Sequence, residues 1–349
     1  MSRQFVLACS TVALLAGQAA AQDVSVGGAL DLRIGFDDVD FEIEYVDEDF
    51  GFGEDGPRSW FFNQDAEIQF EASGVADALN LAYGAVLELE VDTGDGENAR
   101  WDEAYIFLES DRFGYLLLGE DDDFGDRDSI SFNASTVARG TGGVDGDQRT
   151  APEFFIGDSG EATKLLYMSP RVFGLLAGVS YAVNAGDRGS VPGSNDEPTD
   201  ATSLALNYRE TFAGIDVGGY AGLSRATVVG AHATNWAIGG LIGYAGIEVA
   251  GYYGDEDTAF AGDDLDDRPR ENMWNIGIGT DIGNYGVSFN FQKDNYLGEG
   301  EKTSYILGGD RGILPGVALR GEIAYQDQKR DAGPDVDGLN ALIQTHVSF

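Results

Sequence analysis

Residues 23–36 read DVSVGGALDLRIGF. Val24, Val26, Leu30, Leu32, Ile34 and Phe36 fall on one side of an extended chain. Ser25, Gly27, Ala29, Asp31 and Arg33 fall on the other. Successive side chains of a β-strand point to opposite faces, so this is a strand with one apolar and one polar or small face. The pattern returns. In 65–72, Ala66, Ile68, Phe70 and Ala72 oppose Asp65, Glu67, Gln69 and Glu71. It recurs in 79–91, 236–244, 285–291 and 317–325. Short breakers such as Ser110-Asp111-Arg112, Ala245-Gly246 and Gly283-Asn284 take turns with long acidic stretches at 37–57, 186–200, 255–271 and 327–337. Strands that meander up and down, with all tight turns on one side, have the asymmetry of a transmembrane barrel.

About sixteen strands are expected, with 14 or 18 as the alternatives, at 23–36, 60–73, 79–92, 100–110, 113–120, 164–169, 173–184, 202–210, 215–224, 235–244, 247–254, 273–282, 285–292, 303–312, 316–326 and 339–349. An even number brings the first and last strands together, and closure removes the exposed edges. At this size a barrel encloses water rather than a packed core. A soluble sandwich would bury its apolar face between sheets. Here the second face is Asp, Glu, Gln, Ser and Gly in nearly every strand, which makes it the wet one. The fold class is all-β, a transmembrane antiparallel up-and-down barrel. A membrane helix needs about 20 mostly apolar residues. The one candidate, 236–254, contains Glu248 and divides at Ala245-Gly246 into two alternating runs, and so reads as a hairpin.

Composition removes other functions. The chain has 349 residues, 61 acidic against 21 basic, and a net charge of −40. That balance argues against a nucleic-acid partner, which needs a basic surface. A single Cys and two His leave no disulfide framework and little material for zinc or Ser-His chemistry, so no enzyme is expected. The 15 Tyr, 20 Phe and 4 Trp contradict disorder. The 50 Gly are about twice the average share of roughly 7% and fit turns and small lumen-facing positions. Arg3, the apolar run 5–16 and Ala19-Ala20-Ala21 form an export signal over 1–21, cleaved after Ala21, with the barrel over 22–349.

Asp102-Glu103-Ala104-Tyr105-Ile106-Phe107-Leu108 followed by Arg112-Phe113-Gly114-Tyr115-Leu116-Leu117-Leu118-Gly119 resembles the general, non-specific porins of Gram-negative bacteria, of alphaproteobacterial type. Leu166-Tyr167-Met168-Ser169-Pro170 running into Phe173-Gly174-Leu175 is similar to the same family. The final strand ends on Phe349, which looks like the C-terminal signal read by the outer-membrane barrel assembly machinery. The resemblance implies a homotrimeric channel among outer-membrane lipid and lipopolysaccharide, with the third external loop folded into the lumen. That loop would be 121–163, carrying the acidic residues Asp121, Asp122, Asp123, Asp126, Asp128 and Glu153, together with Arg127, Arg139 and Arg149. Phe124, Phe132, Phe154, Phe155 and Ile156 could pin it to the wall. The family commonly carries a pore-facing basic residue after the Leu-Gly of the fifth strand, where this chain has Glu120.

Arg33 faces inward by parity, Arg100 and Asp102 share the inward face of the fourth strand, and Arg58 precedes the second strand. These are the expected basic wall; their plainer role is pairing with wall acids such as Asp31 and Glu67. Rings of carboxylates favour cations, so the expected channel passes small hydrophilic solutes and ions with weak cation selectivity. No cofactor is expected. The clusters 121–123, 263–267 and 92–97 could hold loop-bound Ca²⁺ through oxygen ligands, or be solvated acidic loops. Two other functions compete with the diffusion channel. One is a solute-selective outer-membrane channel, marked by an aromatic track in the lumen. The other is a secreted acidic Ca²⁺-binding adhesion protein, soluble without detergent.

Overall fold

The computed structural model describes residues 23–37, 60–92, 100–125, 127, 130–143, 154, 156, 158–185, 198–228, 231–257, 270–296, 300–331 and 335–349. The strands are β1 (Asp23–Asp37), β2 (Phe61–Ala76), β3 (Leu81–Asp92), β4 (Arg100–Ser110), β5 (Gly114–Glu120), β6 (Thr163–Met168), β7 (Leu175–Asn184) and β8 (Thr199–Phe212), followed by β9 (Ile215–Val228), β10 (Ala231–Tyr244), β11 (Ile247–Asp255), β12 (Arg270–Ile282), β13 (Tyr285–Tyr296), β14 (Gly300–Leu314), β15 (Val317–Arg330) and β16 (Val336–Ser348). Every strand pairs antiparallel with its sequence neighbours, and β16 pairs with β1, closing the barrel. Phe349 completes that seam, its backbone N–H and C=O both bonded to Gly28 at 3.1 Å.

The tight turns follow from local sequence. Between β10 and β11 the loop is Ala245-Gly246, with φ of 54° and 84°. Ala213-Gly214, between β8 and β9, has φ of 51° and 80°. Two successive positive φ values make the two-residue hairpin turn whose twist matches the flanking strands. Most strands at the opposite end run further than the apolar alternation alone marks. β8, β14 and β15 continue into polar residues there, because ladder hydrogen bonds need no apolar partner.

The burial pattern is inverted relative to a water-soluble protein. Leu32 and Ile34 are 48% and 46% exposed, whereas Arg33 between them is 7% exposed. On β13, Tyr285, Val287 and Phe289 are exposed, and Ser288, Asn290 and Gln292 are buried. At roughly 25 cal/mol per Å² this apolar exterior would be strongly unfavourable in water. Lipid removes the cost. Aromatic rings gather toward the long-connection end of the outer face. Trp274 lies 4.7 Å from Phe291, Phe291 5.2 Å from Tyr305, and Tyr305 6.3 Å from Tyr325. Such a girdle belongs at a membrane interface, where one side of a ring is apolar and the other wet.

Candidate pore constriction

The described parts of the chain between β5 and β6 run inside the barrel. Phe124, Ile130, Phe132, Val137 and Ile156 form one buried cluster with inward residues of β5, β6 and β8–β12, among them Leu117, Leu166, Tyr220, Leu241, Tyr252 and Met273. The wall is built to receive this loop. Gly239 lies under the Phe132 carbonyl, Gly279 under the Val137 carbonyl and Gly308 under the Arg139 carbonyl, with no room for a Cβ at any of the three. Glycine in a strand permits this close approach of another backbone. Wall amides and hydroxyls complete the docking. Asn207 Nδ2 donates to the Ile130 carbonyl (2.6 Å), Asn275 Oδ1 accepts from Ala134 N–H (2.8 Å), and Tyr252 OH accepts from Ile156 N–H (3.2 Å). A short 3₁₀ turn, Ala134–Val137, is capped by Asn133, whose side chain accepts from Ser135 N–H at 2.8 Å.

The neck of the loop is polar. Asp123, 0% exposed, accepts from Phe124 N–H (2.9 Å) and from the hydroxyls of Ser159 (2.7 Å), Ser180 (2.9 Å) and Ser203 (2.7 Å). Asp158 accepts from Gly125 N–H (2.8 Å) and Gly160 N–H (2.9 Å), tying the outgoing chain to the returning one. Burial, and then the charge of Asp123, push the Asp158 carboxyl up to about 7. Asp121 pairs with Arg127, and Lys164 Nζ donates to the carbonyls of Asp121 (2.6 Å) and Gly160.

The three consecutive acids therefore divide. Asp121 is ion-paired, Asp122 is partly exposed, and Asp123 is a buried anchor rather than an acid on the pore surface. The physical reason is the ring of serine hydroxyls around it. Asp126, Asp128 and Glu153 lie outside the described residues, as do Arg58, Arg149, Phe155 and the acidic clusters 263–267 and 93–97. Asp121, Asp122 and Glu103 bring one carboxylate oxygen each within 4.8 Å of one another. A bulge between Leu87 and Leu89 sets residues 102 and 103 against Glu88 and places Glu103 there.

Arg33 faces inward as its parity requires. It bonds Asn63 (2.9 Å), Asp65 (3.3 Å) and Gln344 (3.3 Å), and pairs with Asp31 at 3.5 Å. Its acid partners are Asp31 and Asp65, not Glu67. Arg100 stands opposite Glu90 in the ladder. Glu120 shares the parity of Leu118, which is 52% exposed, and accepts from Thr163 Oγ1 at 3.1 Å, so it lies on the outer face. The inner wall of β2 and β3 is acidic: Glu67 is paired with Glu90, and Gln69 with Glu88, to which it donates at 2.9 Å. Lys164, Ser180, Ser203, Asn207, Asn275 and Ser288 fasten the loop as well. Their only mark in the sequence is a polar residue on the inward parity. Inner aromatics do not form a track among the described residues. Tyr220 and Tyr252, stacked at 6.3 Å, belong to the bed of the loop, and Tyr105 and Tyr115 pack against it.

A closed sixteen-stranded wall, apolar outside and polar inside, with a loop fastened within it, is a membrane channel with a constriction. The Gram-negative porin family matches residues 8–331 of the chain. This chain is a Gram-negative porin. Solved porins share its architecture. A Comamonas acidovorans porin, described as anion-selective, superposes with a TM-score of 0.63 at 13% identity over 94% of this chain and 100% of its own. A variant of the Rh. blastica porin gives 0.62 at 15% identity with the same coverage, and a porin refined at 1.8 Å gives 0.63 at 16%. Comparison with curated proteins finds no match. The porin resides in the outer membrane of a Gram-negative bacterium and forms a channel for passive diffusion. Its family and fold are those of non-enzymatic channels.

Proposed function

We propose that this porin is a homotrimeric channel for small hydrophilic solutes with a weak preference for cations. The observation that carries the preference is the inner wall. Glu67, Glu88 and Glu90 line β2 and β3, and Glu248 and Asp281, which share the single base Arg139, line β11 and β12. Of the inward bases, Arg33 and Lys164 are held by protein oxygens, Lys302 is buried, and Arg320 stands opposite Asp310 and Gln344 in the ladder. Carboxylate-lined pores favour cations. Homologous porins are trimers in the outer membrane. The outer faces of β2–β4 and β16 suit a like partner, since the small residues Ala66, Ala72, Ala85, Ala104 and Ala341 allow close approach there. In this reading residues 1–21 direct export, Phe349 marks the chain for barrel assembly, and lipopolysaccharide surrounds the outer leaflet girdle.

Planar-bilayer conductance across a KCl gradient tests it. The expected result is stepwise conductance in multiples of three, with a reversal potential on the cation side. Silence from folded, detergent-purified protein overturns the channel. A reversal potential on the anion side overturns the charge argument and leaves the channel standing.

A further inference from the structure

The loop carries, where it rests on β11–β14, a charge of the opposite sign to the wall beneath it. Arg139 is clasped by its main chain. Its N–H donates to Ser288 Oγ (2.7 Å), Ser288 Oγ donates back to its carbonyl (3.0 Å), and that carbonyl lies flat on Gly308. Held there, the guanidinium reaches two wall acids on neighbouring strands, Asp281 Oδ1 at 3.3 Å and Glu248 Oε2 at 3.7 Å. It curls back to the carbonyls of Val137 (3.4 Å) and Ala138 (3.1 Å). A third carboxylate, Asp310, accepts from Gly286 N–H at 3.3 Å and stands opposite Arg320 in the β14–β15 ladder, and Gly286 pairs with Asp281 across the β12–β13 ladder. These acids thus form an arc over β11, β12 and β14 at the tight-turn side of the loop, with Arg139 set into it. The groups are wet: Arg139 is 21% exposed, Glu248 34% and Asp281 68%. The polarity is the reverse of an acidic loop facing a basic wall.

We infer that Arg139 is a specificity-determining residue of this porin. It offsets the Glu248, Asp281 and Asp310 arc and so sets how strongly the inner half of the pore prefers cations. Ser288 and Gly308 are the positioning residues that hold it there. The inference rests on the proposed cation preference for the sign of the wild-type ratio, not for the direction in which loss of Arg139 moves it. Exposed charges within a few ångströms of a permeating ion act on it through water and are screened by salt.

The test is reversal potential in planar bilayers, using the full-length porin with Arg139→Gln, Arg139→Lys, Gly308→Ala and Gly312→Ala. At about 0.1 M KCl, Arg139→Gln is expected to raise the K⁺/Cl⁻ permeability ratio about twofold. The shift should shrink near 1 M, where the screening length falls from about 10 Å to about 3 Å. Arg139→Lys keeps the charge and should stay near wild type. Gly308→Ala lifts the carbonyl off the wall and should shift the ratio in the same direction as Arg139→Gln, adding little in the double variant. Gly312, on the same strand, has open space around it, and Gly312→Ala is the control. An unchanged ratio in folded Arg139→Gln overturns the inference. So does a shift that persists undiminished at 1 M, or full additivity of Arg139→Gln with Gly308→Ala. An anion-preferring wild type in which Arg139→Gln still moves the ratio overturns the proposed preference alone.

Discussion

Asp123 sets the position of the loop through one carboxylate. Three serine hydroxyls and a backbone N–H converge on it in a site closed to water. Asp123→Ala leaves those three hydroxyl protons without their acceptor, and a loss of roughly 3 kcal/mol in loop docking is expected. Proteolysis at the loop and noise in single-channel current should both rise, while Asp123→Asn should fall between. Asp158 adds a pH dependence with a defined sign. Its carboxyl is raised from 3.8 to about 7 in the docked loop. The docked form therefore holds an extra proton between those values. Its contribution to docking is complete below 3.8 and is lost as pH rises through 7. Hydrogen exchange at the Gly125 and Gly160 amides should accelerate between pH 5.5 and 8 by more than base catalysis explains, and Asp158→Asn should remove the excess. None of this was legible in the run Asp121-Asp122-Asp123, where three identical side chains look equally solvated. What separates them is the set of serines on β7 and β8, distant in sequence and marked only by inward parity.

Strands were the most legible elements, because lipid outside and water inside impose a period of two on nearly every one. β1, read from 23–36, is observed at Asp23–Asp37. The outer ends were less legible, since above the membrane both faces are polar and the alternation disappears; β15 continues to Arg330 where the apolar pattern stops near Tyr325. The course of the 121–163 loop came from family resemblance, and its glycine bed could not be read from composition, where turn glycines and bed glycines look alike. Two outcomes follow for the strands. Ile276→Arg on the lipid face (Ile276 is 47% exposed) should cost about 2–4 kcal/mol in a urea refolding titration, whereas inward Gln69→Arg, facing Glu88, should stay within about 0.5 kcal/mol. Ala245 pays for its positive φ, and Ala245→Gly should stabilise the β10–β11 hairpin by roughly 1 kcal/mol in the same titration.

Among the described residues, the whole molecule gathers a band of acids inside the barrel. Acids of β2, β3, β11 and β12 face the lumen, and the outer wall is left to Leu, Ile, Val and aromatic rings. The protein should therefore need detergent for solubility with or without Ca²⁺, and sedimentation after detergent removal checks this. The pairing of β1 with β16 joins side chains as far apart in the chain as Asp31 and His346, which meet at 2.7 Å across a separation of 315 residues. In an open sheet the outermost strand can peel away by breaking one ladder. A ring has no outermost strand, and the first to leave must break two ladders at once. Partial fraying is thereby replaced by a single high barrier, which slows loss of structure far more than it deepens the equilibrium. Heating and cooling curves of this protein should consequently fail to overlay, the native form surviving in hot detergent well past the point at which the unfolded chain could regain it.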